Sequence, residues 1–189
     1  MRIPPPPPPP PGHNAFSVPL SHISRGALSY FRRARLTTTL PPLRDLNLYD
    51  QAGLLLAITR PGAALEEATE AQWLKTDIAV MCGEAWVSTV GCQCWADASL
   101  VPWSVLGDVG EGGWPSATVE VERAEKGKAV WVYLRVPGRG GAEGRRVPIR
   151  ELTWWFAEED EGWEISVAVY AARPLRKEGA EGEALNVKI

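Results

Sequence analysis

The sequence predicts an all-β protein in which antiparallel strands stack as two sheets, and three observations carry that prediction. Apolar runs of strand length recur along the chain, as in LYDQAGLLLAI, QWLKTDIAV and AWVSTVGCQCWADASLVPW between Leu48 and Trp103. Turn residues separate them: Pro41-Pro42, Pro61-Gly62, Cys82-Gly83, Gly110 with Gly112 and Gly113, Lys126-Gly127, Pro137-Gly138 and Asp160 to Gly162. Within the runs, bulk alternates with a period of two, which places successive side chains on opposite faces of a sheet.

Taken in order, the chain opens on eight consecutive prolines, Pro4 to Pro11, which fix φ, remove backbone donors and favour a solvated polyproline II rod. Residues 1–26 are therefore assigned to a disordered, proline-rich tail and linker, and residues 27–189 to one domain. Strands are expected at Leu28 to Leu40, Gln51 to Thr59, Gln72 to Val80, Ala85 to Cys92 and Ala98 to Leu106. Five more follow at Ala117 to Ala124, Lys128 to Val136, Val147 to Phe156, Glu164 to Ala172 and Ala184 to Ile189. A single short helix is expected around Ala63 to Gln72, where Leu65, Glu66, Glu67 and Ala68 have helix propensity without a long apolar stripe. Regular short strands with such punctuation define a sandwich or barrel.

Alternation is clearest in two runs. Ile165, Val167 and Val169 share one face, with Ser166, Ala168 and Tyr170 on the other. Val130, Val132, Leu134 and Val136 oppose Trp131, Tyr133 and Arg135, so one face fills the core and the other presents an aromatic, partly polar surface suited to a ligand. Nine tryptophans each bring roughly 150–250 Å² of ring surface, and about two-thirds are expected in the core.

Composition narrows the function. Of 189 residues, 45% are hydrophobic and 23% charged, the usage of an ordinary globular domain, and no unbroken apolar run approaches the length of a membrane span. A net charge of -3 gives no electrostatic reason for a nucleic-acid partner, and Arg32, Arg33 and Arg35 read as a solvated face. An odd number of cysteines, three, with no secretory leader ahead of the domain, points to a reducing, cytoplasmic setting. Cys92 and Cys94 lie far from His13 and His22, so they read as small buried hydrophobes rather than zinc ligands. Asp45, Asp50, Asp97 and Asp108 lack the spacing of a calcium loop, and neither metal nor cofactor is expected.

The runs YDQAGLLLAI, WLKTDIAV, WVSTVGCQCWADAS, VPIRELTWWF and VAVYAARP together resemble the fungal branch of a domain-of-unknown-function family in the concanavalin A-like lectin/glucanase superfamily. That family is best known through the regulation-of-enolase protein. The resemblance runs from Phe31 to Pro174 and implies a jelly-roll β-sandwich. Its Tyr-Asp-Gln-Ala-Gly falls on Tyr49, Asp50, Gln51, Ala52 and Gly53, and its Trp-x-Lys on Trp73 and Lys75. Its serine-valine strand falls on Val87, Ser88, Thr89 and Val90, and the following turn on Trp95, Asp97 and Ser99, with Ala98 where a second tryptophan is expected. The family's upstream strands have no counterpart ahead of the domain, so an N-terminal edge strand is expected to be missing.

Gln51, Trp73, Lys75, Trp95 and Asp97 form the expected ligand site, because Trp73 and Lys75 project to one side of their strand and the set combines stacking surface with donors and acceptors. The plain alternative is that Lys75 pairs with a carboxylate, Asp97 caps a turn and the tryptophans pack in the core. A non-catalytic binding or regulatory domain is thus expected, recognising a carbohydrate or small polar metabolite on a concave sheet. The resemblance implies an alternative, a protein-partner regulator of a glycolytic enzyme. Glycoside hydrolysis is the third reading; its carboxylate pair would have to come from Glu158, Glu159, Asp160 and Glu161, which read as a solvated hairpin turn with no reason for a raised pKa.

Overall fold

The computed structural model describes residues 19–63, 72–106, 113–138, 144–157, 162–175 and 184–189. Among them run ten strands: β1 (Leu20–Ala27), β2 (Arg33–Thr39), β3 (Gln51–Thr59), β4 (Gln72–Met81), β5 (Glu84–Cys92), β6 (Ala96–Pro102), β7 (Ser116–Arg123), β8 (Val130–Val136), β9 (Arg145–Leu152) and β10 (Glu164–Ala172). They form a six-stranded sheet in the order β1-β10-β3-β4-β5-β6 and a four-stranded sheet in the order β2-β7-β8-β9. Every ladder is antiparallel, so the expected all-β sandwich is what the chain adopts.

Alternation builds the core between the sheets. On β8, Val130, Val132 and Leu134 are buried while Trp131 and Tyr133 are half-buried on the opposite face. They meet Leu54, Leu56, Leu74, Ile78 and Val87 of the six-stranded sheet in one contiguous cluster. β3 departs from alternation because it is central and covered on both faces, the burial that gives continuous apolar runs. Leu54, Leu56 and Ile58 face the main core; Leu55 and Ala57 join Ala168 and Tyr170 in a second, smaller cluster on the outer face, with Leu20 and Trp73 packed against it.

Four expectations are corrected. The N-terminal edge strand is present: β1, Leu20–Ala27, all but its last residue placed in the linker by sequence, pairs with β10. Backbone pairing holds it, since its side chains are mostly exposed and carry no apolar alternation. The C-terminal strand at Ala184 to Ile189 reduces to one bridge between Lys188 and Thr39, whose amides and carbonyls exchange bonds of 2.9 and 3.1 Å. The strand at Val147 to Phe156 ends at Leu152, and the following turn buries Trp155 and Phe156 in the core. Finally, only Trp155 of the nine tryptophans is fully buried. The indole is large and carries an N–H that needs an acceptor, so rings such as Trp86 and Trp103 sit at the rim and donate to the Met81 and Ser116 carbonyls at 3.1 and 2.9 Å. The expected helix falls mainly on residues 64–71, outside the described residues; Gln72 already begins β4.

Candidate functional site

Strand register brings one polar group together on the outer face of the six-stranded sheet. Tyr170 on β10, Gly53 on β3, Asp77 on β4 and Ser88 on β5 lie in one row across four strands. Gly53 makes the row work. A Cβ there would stand 2.3 Å from the Thr76 carbonyl oxygen and 2.7 Å from the Asp77 Cβ, so only glycine fits. The missing side chain opens the space across which the Tyr170 hydroxyl reaches Asp77 Oδ2 and donates a hydrogen bond.

One row further along β4, Lys75 points to the same face. Its ammonium lies 3.3 Å from Asp77 Oδ2, donates to Gln51 Oε1 and sits 5.8 Å from the centre of the Tyr170 ring. Tyr170 also lies 3.4 Å from Gln51 Oε1. Gln51 in turn donates to the Tyr49 carbonyl at 3.2 Å, which fixes its amide. The result is a layered site: Asp77, Ser88 and Tyr170 are buried at its floor, while the Lys75 side chain is 16% exposed and reaches solvent.

Burial governs the floor's chemistry. Desolvation raises the Asp77 carboxyl above the ordinary carboxylate range, opposed by the Lys75 charge, the Tyr170 and Lys75 hydrogen bonds and the Ser88 hydroxyl. Asp77 Oδ1 has no hydrogen-bond partner among the described residues. Burial, then the neighbouring Asp77, pushes the Tyr170 phenol well above its usual value, so Tyr170 remains a donor at neutral pH.

The five residues expected from sequence therefore divide. Gln51, Lys75 and Trp73 share the outer face, with Trp73 opposite Cys92 and packed against the small outer cluster. Asp97 does not join them: its partner across the ladder is Gly91, itself opposite core-facing Leu74, so Asp97 lies on the other face, where Arg150 of β9 binds it. Trp95 stands in the turn between β5 and β6, 49% exposed. That turn also corrects the thiols, for β5 stops at Cys92: Cys92 is buried, but Cys94 is exposed. Two further members, Asp77 and Tyr170, lie outside the residues expected from sequence, although W-x-K-x-D carries the period that puts Asp77 beside Lys75. Trp86 was missed as well; it lies opposite Ala79 on the same face, so Trp73 and Trp86 frame the polar centre from either end.

Among the described residues, no group of three or more His, Cys, Asp or Glu side chains is arranged to hold a metal ion, and no helix is long and apolar enough to cross a membrane.

Fold and site together define an antiparallel β-sandwich with a half-buried polar network on one outer sheet face, framed by tryptophan. No family model matches the chain. A curated relative, uncharacterized protein AN7484 of Emericella nidulans, is 35% identical over 161 residues, covering 84% of this chain and 67% of the relative. The chain belongs to the same family as that fungal protein. A solved structure, described as a functionally unknown protein from Saccharomyces cerevisiae, is similar over 82% of this chain and 74% of its own, with 14% identity and a TM-score of 0.46.

Proposed function

We propose that the chain is a non-catalytic binding domain that takes a hydroxyl-rich ligand, a carbohydrate or small polar metabolite, on the outer face of its six-stranded sheet. The observation that carries this reading is the convergence of Gln51, Lys75, Asp77 and Tyr170 in one network, with Trp73 and Trp86 on the same face. An ammonium has three donors; Gln51 and Asp77 engage two, and the third serves a ligand oxygen. Because Asp77 offsets the Lys75 charge from beneath, the site favours a neutral hydroxyl over a strong anion. Half-buried indole rings suit the apolar face of a sugar ring. The network contains one carboxylate, whereas retaining glycoside hydrolysis uses two about 5–5.5 Å apart, so binding rather than bond cleavage fits it.

The test is titration with a panel of neutral oligosaccharides followed by tryptophan fluorescence. Binding should quench the signal, and Lys75→Ala and Trp73→Ala should each abolish it while circular dichroism and a cooperative unfolding transition show the variants still folded. Quenching that survives both substitutions refutes the reading.

A second reading has one observation behind it: Leu100, 47% exposed, continues the Asp77–Ser88 row onto the edge strand β6 beside exposed Pro102 and Ala98, an apolar margin suited to a protein. Together with the resemblance to the regulation-of-enolase family, it supports a regulator that docks on a metabolic enzyme. A silent glycan titration together with capture of purified enolase, lost in Leu100→Glu, would favour this reading over the first.

A further inference from the structure

The outer face of the four-stranded sheet carries a second, differently charged arrangement. Register stacks three rows across it: Thr37, Thr118 and Arg135; Arg35, Glu120 and Tyr133; Arg33, Glu122 and Trp131. Arg146 of β9 is fully engaged. It lies 2.7 Å from Glu120 Oε1, binds Glu122, and covers the Tyr133 ring with its guanidinium 3.9 Å from the ring centre. Tyr133 in turn stacks with Trp131, centroids 6.1 Å apart at 28°. Glu120, fully buried, thus turns to Arg146 and leaves Arg35 a loose contact of 3.9 Å. The Arg35 side chain is 55% exposed. Arg135 makes no ion pair or hydrogen bond among the described residues.

In the register these two arginines flank Thr118, Arg135 directly across the ladder on β8 and Arg35 diagonally on β2. Diagonal neighbours stand roughly 7–8 Å apart at Cα, which sets the distance from Arg35 to Thr118; Arg35 and Arg135 lie on strands separated by β7, so their long side chains must lean inward over Thr118 to share one anion. The hydroxyls of Thr37 and Thr118 bond each other at 2.8 Å on the exposed surface, so one of the two protons remains free for an acceptor. Arginine rather than lysine supplies the charge, and its planar fork matches carboxylate and phosphate oxygens. Glu120 and Glu122 interrupt the arginines, which denies the face the unbroken positive stripe a polyanion such as nucleic acid requires. A compact anion beside half-exposed rings and hydroxyls has the chemistry of an acidic sugar.

We propose that this face is a second binding site, in which Arg35 and Arg135 clamp the carboxylate or phosphate of an anionic monosaccharide over Thr118, with Tyr133 and Trp131 beside its ring. The site is independent of the one built on Lys75, which lies on the other sheet. The full chain is titrated with glucuronate, glucose 6-phosphate, glucose, inorganic phosphate and a single-stranded oligonucleotide, read by tryptophan fluorescence and by amide NMR shifts at Thr118 and Tyr133. Judged by the Thr118 and Tyr133 amides, one of the two anionic sugars should bind about tenfold more tightly than glucose and phosphate, and the arm that responds identifies a carboxylate or a phosphate ligand. Arg135→Gln should weaken it about tenfold, Arg135→Lys less, and Lys75→Ala should leave it unchanged. Arg35→Gln should act in the same direction; Arg135 is the cleaner test because it holds no carboxylate. The proposal is overturned if neither anionic sugar shifts the Thr118 and Tyr133 amides, if glucose, phosphate or the oligonucleotide shifts those amides with equal affinity, or if a folded Arg135→Gln chain retains full affinity there.

Discussion

Arg173 grips Asp50 through two nitrogens, Nε at 3.1 Å from both carboxylate oxygens and Nη2 at 2.8 Å from Oδ2, across 123 residues of sequence. Asp50 is completely buried and also accepts the Asn47 amide at 2.9 Å, while Arg173 donates to the Asp45 carbonyl at 3.3 Å. The pair fastens the turn before β3 to the chain leaving β10. Tyr49 in that turn has φ 66°, a left-handed conformation unusual for a tyrosine, and its amide is held by the Val80 carbonyl at 2.8 Å. The Tyr-Asp-Gln segment therefore sets where Gln51 begins its strand.

Removing either partner leaves the other buried and uncompensated. Asp50→Ala and Arg173→Ala should each cost about 3–5 kcal/mol of folding stability in chemical denaturation. Arg173→Lys should recover little of this, since an ammonium cannot engage both oxygens as a fork does. A loss below about 1 kcal/mol in both alanine variants would show that the pair does not fasten the turn.

Gly53→Ala tests the space that lets Tyr170 meet Asp77. The contact at 2.3 Å is with the Thr76 backbone oxygen, which cannot swing aside as a side chain would. A cost of about 1–3 kcal/mol is expected, the range for overpacking a filled site. Ligand quenching should weaken in the same variant, because β4 must move to admit the methyl group. A fully stable variant with intact binding contradicts the assigned register.

These two sites show what the sequence made legible. Period two gave the strands, and β3 and β10 are observed with the bounds read from sequence, Gln51–Thr59 and Glu164–Ala172, because turn residues bracket both. It also put Trp73 and Lys75 on one face. What pattern could not supply was pairing between distant strands: that β10 lies next to β3, and so brings Tyr170 to Gly53, is a fact of topology rather than periodicity. Asp97 was misplaced for the related reason that an odd residue offset across the β5–β6 turn decides which face its side chain takes. β1 is not legible because its side chains are mostly exposed and its hold on β10 is chiefly backbone pairing, with Leu20 against the outer cluster and Arg25 on Ser166, so no alternation marks it.

The raised Asp77 carboxyl makes a signed prediction about pH. In the folded chain the proton is held more tightly than in the unfolded chain, so between the ordinary aspartate value near about pH 4 and the raised folded value the native state binds more protons. Stability contributed by Asp77 is therefore present at acid pH, falls as pH rises through that window, and is level above it. In Asp77→Asn this dependence disappears, so the variant's stability relative to the parent should climb with pH across the window and then plateau. Denaturant midpoints measured at several pH values for both chains decide the matter; a relative stability that declines with rising pH would mean the carboxyl is not raised.

Asp97 supplies the contrast to Lys75. Its side chain is 72% exposed, and its bond to Arg150 joins the edge strand β6 to β9 of the other sheet where solvent screens the pair. Exposed pairs contribute about 0–1 kcal/mol, so Asp97→Ala should shift denaturation by less than about 1 kcal/mol. It should also leave carbohydrate quenching unchanged, because its side chain and the Lys75 network lie on opposite faces of one sheet. Lys75→Ala, on the same assay, should remove the signal. If Asp97→Ala abolishes quenching and Lys75→Ala does not, the ligand lies at the open edge between the sheets, against Asp97 and Arg150, and the outer face is merely a satisfied polar cluster.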